Sequence, residues 1–272
     1  MLGYSRQYYY KLCKQVVEYQ DEEQQVIKLV QGKRKQLPRL GVRKVYHLIA
    51  ETMRKKELKI GRDKLFKVMR DNGLLIAPRR RYVQTTNSRH RFKKYPNKAK
   101  SMIVSEPDQL WVSDITLIKA EDGYCYLNMV TDAYSRKIVG YAVADNMEAE
   151  SMIGALRMAL NQKQSLSVPM HHSDRGVQYC SYLYENLMKR NNCIISMTEN
   201  SDPYENALAE RMNRTIKEEF GLDQIVQSKA LVYKIVEEAI ELYNYHRPHL
   251  SLKMKTPDEV HKKSRLLYAV GT

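Results

Sequence analysis

Residues 110–144, LWVSDITLIKAEDGYCYLNMVTDAYSRKIVGYAVA, decide the reading of the fold. Three runs rich in β-branched, aromatic and aliphatic residues stand in sequence: Leu110 to Ile118, Tyr124 to Thr131 and Lys137 to Ala144. Side chains of this kind suit a pleated, half-buried surface. Glu121-Asp122-Gly123 supplies turn chemistry between the first two runs. Connections this short allow only antiparallel pairing, so the stretch predicts three antiparallel strands.

Beyond it the period changes. Glu148 to Gln162 carries Met152, Ile153, Leu156, Met158, Ala159 and Leu160 at helical spacing, and a strand follows at Val168 to His172. Tyr182 to Arg190 reads as a helix, Cys193 to Met197 as a fifth strand, and Ala207 to Phe220 as a long amphipathic helix. A strand reached through a helix implies a parallel crossover, and the order βββαβαβα is that of a ribonuclease H-like α/β core with a five-stranded mixed sheet.

Upstream, the pattern is helical and strongly basic. Residues 5–35 fit one or two helices, and Val42 to Ile49 and Leu65 to Met69 mark two short helices about a turn near Gly61. This pair predicts an all-α, helix-turn-helix-like region whose second helix offers Arg62, Lys64, Lys67 and Arg70 to DNA. Periodicity lapses from Pro78 to Pro107, where Arg79, Arg80, Arg81, Lys93 and Lys94 mark a basic linker. A further helix is expected over 229–243. Thr256-Pro257-Asp258-Glu259 then reads as a capping box opening a last one. The expected division is therefore 1–77 helical and DNA-binding, 78–106 linker, 107–225 catalytic core and 226–272 C-terminal helical extension.

Residues 1–100 hold 27 Lys and Arg against 8 Asp and Glu, whereas residues 101–272 hold 19 against 23. A basic surplus confined to one segment is the footprint of a polyanion, because each cation set beside a phosphate releases condensed counterions. No run approaches the roughly 18 apolar residues of a membrane span. Met1 to Tyr10 has no signal-peptide core, so a cytoplasmic location is expected. Cys13, Cys125, Cys180 and Cys193 are too scattered for zinc or dithiol spacing.

Asp114 interrupts the apolar first strand, where an unpaired charge is costly unless a cation accompanies it. Asp174 falls at the carboxyl end of the fourth strand, where crossover sheets gather ligands. Glu210 lies on the long helix with Asn206, Asn213, Arg214 and Lys217 on or beside the same face. In a ribonuclease H order the first and fourth strands are neighbours, so these carboxylates converge. Three hard oxygen ligands suit Mg²⁺, with Mn²⁺ as a substitute, in a two-ion phosphoryl-transfer site. His172 is expected to orient Asp174, with Asn206 in support. Glu199, Asp202 and Glu205 read as loop carboxylates, and His246 and His249 as a packed turn.

Fifty-nine residues separate Asp114 from Asp174, and 35 separate Asp174 from Glu210. The second interval resembles that of the DDE integrase core. Trp111-x-x-Asp114-Ile115-Thr116, His172-Ser173-Asp174-Arg175-Gly176-x-Gln178-Tyr179 and Asn206-Ala207-x-Ala209-Glu210 together resemble the OrfB subunit of bacterial insertion-sequence transposases of the IS-three group. Tyr243-Asn244-x-x-Arg247-Pro248-His249 and, near the front, Leu40-Gly41-Val42-Arg43 extend the likeness over nearly the whole chain. The resemblance implies strand cleavage at transposon ends and transfer of the freed 3′-hydroxyl to another phosphodiester. It implies that Arg214 and Lys217 hold phosphates of the DNA end. The implied partners are double-stranded DNA of transposon ends and target, further copies in a synaptic multimer, and an OrfA partner or fusion, at the bacterial nucleoid. Two other functions fit the same residues: a noncatalytic DNA-binding regulatory subunit, and a nuclease that cuts without joining.

Overall fold

The computed structural model describes residues 6–77, 92–163, 165–199 and 203–262. The chain divides into two compact units, up to Pro78 and from Arg79 onward.

In the first unit, α1 is one continuous helix, Arg6–Gln36, followed by α2 at Val42–Lys55 and α3 at Arg62–Asp71. Their core is Val26, Val30, Leu40, Val45, Ile49, Leu65 and Met69, all essentially inaccessible. Gly41 and Gly61 stand as extended residues just before α2 and α3. Arg34 donates to the carbonyls of Leu74 and Leu40, tying the end of α1 to the segment after α3. On α3, Leu65, Val68 and Met69 face inward, while Arg62, Lys64, Lys67 and Arg70 are exposed.

The second unit is built on a five-stranded sheet in the order β3-β2-β1-β4-β5. Its strands are β1 Leu110–Ala120, β2 Gly123–Asp132, β3 Ile138–Ala144, β4 Met170–Ser173 and β5 Ile194–Met197. The first three are antiparallel, and β4 and β5 are parallel to β1. The helices packed about the sheet include α4 Ala149–Gln162, α5 Tyr182–Arg190, α6 Ala207–Glu219 and α7 Lys229–Tyr245. A mixed sheet with this order and these crossovers is the ribonuclease H-like arrangement expected from the sequence.

Strand periodicity splits the core into two layers. Trp111 and Ile115 point toward α4 and α5, joining Val139, Leu156, Tyr184 and Met197. Ile118 and Ala120 point the other way, joining Met212 and Ile216 of α6 and Val232, Val236 and Tyr243 of α7. Asp114 has the parity of Ile118, so it faces α6. Gly140 lets β3 and α4 approach closely: a Cβ there would lie 2.0 Å from the Ala155 carbonyl oxygen.

Beyond α6 the chain is fastened back onto the sheet. Asn244 on α7 accepts from the Ile138 N–H at 3.0 Å and donates to its carbonyl at 2.9 Å. Arg247 grips Glu219 through two 2.6 Å bonds and meets His249 Nε2 at 2.8 Å, which makes His249 part of a packed turn. Thr256 and Glu259 exchange the two bonds of the expected capping box, opening a helical segment at 257–262.

Candidate active site

Asp114 lies mid-strand on β1, the central strand, half-buried on the face that α6 covers. Its Oδ1 accepts from the Ile115 N–H at 2.9 Å, and its Oδ2 from Asn213 Nδ2 on α6 at 2.8 Å. Asp174 follows the last residue of β4, which is parallel to β1 and pairs Val112 with His172. A short bond from Gly176 N–H to Asp174 Oδ1 fixes that carboxylate over its own turn. A Cβ at Gly176 would meet the same oxygen at 3.0 Å, so that any larger residue would press on the carboxylate. Glu210 is exposed on the first turn of α6.

Electrostatics bind the three into one site. Burial, then the charge of Asp174 and, more weakly, that of Glu210, push the Asp114 carboxyl up to about 7 against the lowering effect of its two hydrogen bonds. Burial and the charge of Asp174 also raise Glu210. Asp174 therefore acts on both of the others, as like charges gathered at one place must. Tyr179, fully buried, has its phenol raised by burial first and then by Asp174 and Asp114. Its hydroxyl, with Asn206 Oδ1 and Asn213 Oδ1, is buried without a hydrogen-bond partner.

The expected supporting residues act mainly on the backbone. Asn206 Nδ2 donates to the Ser113 carbonyl at 3.0 Å, joining the start of α6 to β1 one residue before Asp114. His172 bonds Ser196 Oγ at 2.9 Å and the Glu205 carbonyl at 3.0 Å, holding the loop that leads into α6. Burial lowers its pKa, favouring the neutral ring. His171, on the opposite face, spans Ser113 Oγ at 2.7 Å and the Tyr184 hydroxyl at 2.9 Å, and burial pushes it down to about 3. Glu205 and Glu199 serve the loop: Glu205 accepts from the Glu199 N–H at 2.7 Å and Glu199 from the Asn97 N–H at 2.9 Å. Asp202 lies outside the described residues.

The basic residues divide. Lys217 Nζ donates to the Leu117 carbonyl at 2.7 Å and reaches Thr116 Oγ1 at 3.3 Å, so it clamps α6 to β1, and burial lowers its pKa. Arg214 is exposed and pairs with Glu218 at 3.0 Å. Lys93 and Lys94 are exposed, with Lys93 stacked 5.0 Å from the Tyr95 ring centre. Arg79, Arg80 and Arg81 lie outside the described residues.

Sequence reasoning missed a second acidic group, Asp108, Asp132 and His261, whose ligand atoms fall within 4.8 Å of one another. Its oxygens already serve the protein. Asp132 accepts from the Asp108 N–H and from the Ser135 N–H and hydroxyl, and Asp108 accepts from Trp111 Nε1 and the Ser165 N–H. His261 joins at Ser135 Oγ, 3.0 Å away. The cluster is a buried knot that docks the helical segment at 257–262 on the sheet. Its partners are some 25 to 150 residues apart in sequence, so no local motif announced it.

A five-stranded mixed sheet with one carboxylate on its central strand, a second at the end of the adjoining parallel strand and a third on a covering helix is the arrangement of a ribonuclease H-like core. The integrase core domain family matches residues 104–203, and a second integrase core domain family matches residues 191–257. Across 206 residues the chain is 32% identical to the insertion element IS600 uncharacterized 31 kDa protein of Shigella sonnei, covering 75% of this chain and 76% of that one. It is 29% identical over 222 residues to the transposase for insertion sequence element IS629 of Shigella sonnei, covering 82% and 73%. A chain of the simian T-cell lymphotropic virus intasome, solved in complex with PP2A regulatory subunit B56 gamma, shares the fold. It matches at TM-score 0.50 and 15% identity, over 79% of this chain and 73% of that one. The chain belongs to the DDE transposases of insertion sequences.

Proposed function

We propose that Asp114, Asp174 and Glu210 together hold divalent cations, Mg²⁺ by preference and two per site, and that the site cuts DNA at transposon ends and joins the freed end to a target. Asp114 and Glu210, both raised by the charge of Asp174 after burial, beside unsatisfied amide oxygens, fit hard, hydrated cations better than any His or Cys ligand set. The observation that carries the reading is the meeting of Asp114 with Asp174 and Glu210, whose charges, after burial, push its carboxyl up to about 7 against two hydrogen bonds. When bound, the cations supply Lewis-acid polarisation of the phosphodiester and a more acidic attacking water or hydroxyl.

The chain's own residues supply rigidity. Two hydrogen bonds fix the plane of the Asp114 carboxylate, while each oxygen keeps a further lone pair for a ligand. The Gly176 N–H does the same for Asp174. Asn206, Asn213 and Lys217 bind α6 to β1 at Ser113, Asp114 and Leu117, and so hold Glu210 in register with the strand. Arg214, with Lys93, Lys94, Arg79, Arg80 and Arg81, attracts phosphates of the DNA end, and exposed Arg62, Lys64, Lys67 and Arg70 position the first unit on the duplex. The chain acts in the cytoplasm at the nucleoid, as a multimer and with an OrfA portion as partner or fusion. Among the described residues no helix is long and apolar enough to cross a membrane.

Incubating the chain with labelled terminal-repeat duplexes and Mg²⁺ tests this reading. Nicked ends followed by joined products are the expected result. Nicking without joining would leave a nuclease, and no product with either Mg²⁺ or Mn²⁺ would overturn the proposal for this chain alone.

A further inference from the structure

A buried serine gathers the chain as it leaves the basic linker. Ser196 stands on β5, an edge strand of the sheet, and is inaccessible to solvent. Its Oγ accepts from the Lys98 N–H at 2.9 Å and from the Ala99 N–H at 3.1 Å. These two donors occupy both of its lone pairs, so its single hydrogen goes to the one partner left, His172 Nδ1 at 2.9 Å. The other ring nitrogen agrees. The Glu205 carbonyl, 3.0 Å away, can only accept, so Nε2 carries the proton of the ring. Each group thus has one possible role, and the bonds run in a single sense from Lys98 and Ala99 through Ser196 and His172 to Glu205.

A second route joins the same ends. The Asn97 N–H donates to Glu199 Oε1 at 2.9 Å, and the Glu199 N–H donates to Glu205 Oε2 at 2.7 Å. Both routes finish at Glu205, beside Asn206, which holds the Ser113 carbonyl on β1 and directly precedes α6. Glu210 lies on the first turn of that helix. Both routes begin a few residues after Lys93 and Lys94, which are exposed. Buried polar networks whose members are all satisfied fix one arrangement, and a contiguous network of this kind carries coupling between its ends.

We infer that Ser196 and His172 are positioning residues that couple the exit of the basic linker to the start of α6, so that DNA held by Lys93 and Lys94 also holds Glu210 in place. The inference rests on the proposed reading of those lysines as phosphate contacts and of Glu210 as a cation ligand. DNA on the linker then helps to assemble the site, and does not only deliver a substrate to it.

Hydrogen exchange of the full chain tests this, with and without a saturating terminal-repeat duplex and with no divalent cation present. The amides of Lys98 and Ala99 report the linker exit, and those of Arg211 to Arg214, which close the first turns of α6, report the helix. In the parent the duplex should slow exchange at both places. Ser196→Ala should speed exchange at both in the free chain by about 10-fold, and the duplex should no longer slow α6. Ser196→Thr, which keeps the hydroxyl, should behave as the parent. Lys93→Gln with Lys94→Gln changes only exposed side chains, and in this chain too the duplex should lose its effect on α6. A Ser196→Ala chain altered at Lys98 and Ala99 alone, or α6 slowed by the duplex as strongly in either variant as in the parent, would overturn the coupling and leave the triad untouched. A duplex that slows neither place in the parent would overturn the linker's role in DNA binding, and this inference with it. Because no metal is present, the result stands apart from whether the chain transfers strands.

Discussion

Asn213 on α6 donates from Nδ2 to Asp114 Oδ2 on β1 at 2.8 Å, while its own Oδ1 is buried and unpartnered. One side chain thus joins the helix that carries Glu210 to the strand that carries Asp114. Its donor also offsets part of the rise in the Asp114 pKa. Asn213→Ala is predicted to lower the rate of strand cleavage about 10- to 100-fold, the usual cost of losing a partner that orients a metal-binding carboxylate. DNA affinity should change little. The check is a single-turnover cleavage assay beside a binding titration; an unchanged rate would show that Asp114 needs no such support.

The raised Asp114 carboxyl predicts a pH dependence of stability. The folded chain keeps a proton on Asp114 up to about 7, whereas the unfolded chain releases it near an ordinary carboxylate value of about 4. Between those values the folded state binds more protons, so in metal-free buffer its stability falls as pH rises through the window. Asp114→Asn removes this slope, and its Tm should exceed that of the parent most clearly at pH 8. Added Mg²⁺ should raise the Tm of the parent and not of the variant. Parallel Tm curves for the two proteins between pH 4 and 8 would contradict this assignment.

Lys217 separates two roles. If it clamps α6 through the Leu117 carbonyl, Lys217→Met leaves that buried acceptor unpaired and costs about 1 to 2 kcal/mol of stability in the absence of DNA. Urea unfolding measures this directly. A residue serving phosphates alone would leave the midpoint where it was.

Two glycines give opposite predictions. A methyl at Gly140 would collide with the Ala155 carbonyl, whereas one at Gly154 meets only Ala142 Cβ at 3.9 Å. Gly140→Ala should destabilise by about 3 kcal/mol or more through overpacking. Gly154→Ala, inside α4, should stabilise by up to about 1 kcal/mol through helix propensity. Equal midpoints would mean that β3 and α4 do not approach as closely as described.

Much of the core was legible because its signals are local. The alternation around Asp114, the turn at Gly123 and the capping box at Thr256 each declare an element from adjacent residues, and order then fixes topology. The places of Asp114, Asp174 and Glu210 were legible because strand end and helix face are periodic properties. What stayed hidden depends on residues remote in sequence. Lys217 looked like a phosphate contact because sequence shows its charge and not the Leu117 carbonyl 100 positions away. His172 suggested an Asp174 partner by adjacency, yet its hydrogen bonds run to Ser196 and the Glu205 carbonyl. The His261 knot had no motif. The continuity of α1 was likewise open, since its first half gains no burial from its own domain.

The most direct measurement compares Asp114→Asn, Asp174→Asn and Glu210→Gln with the parent in one strand-transfer assay on labelled terminal repeats, with binding to the same duplex measured in parallel. The account predicts that each variant binds DNA as the parent does and joins strands at a rate lower by about 10³-fold or more. Any one of the three joining strands at the parental rate would contradict the assignment of the chemistry to this triad.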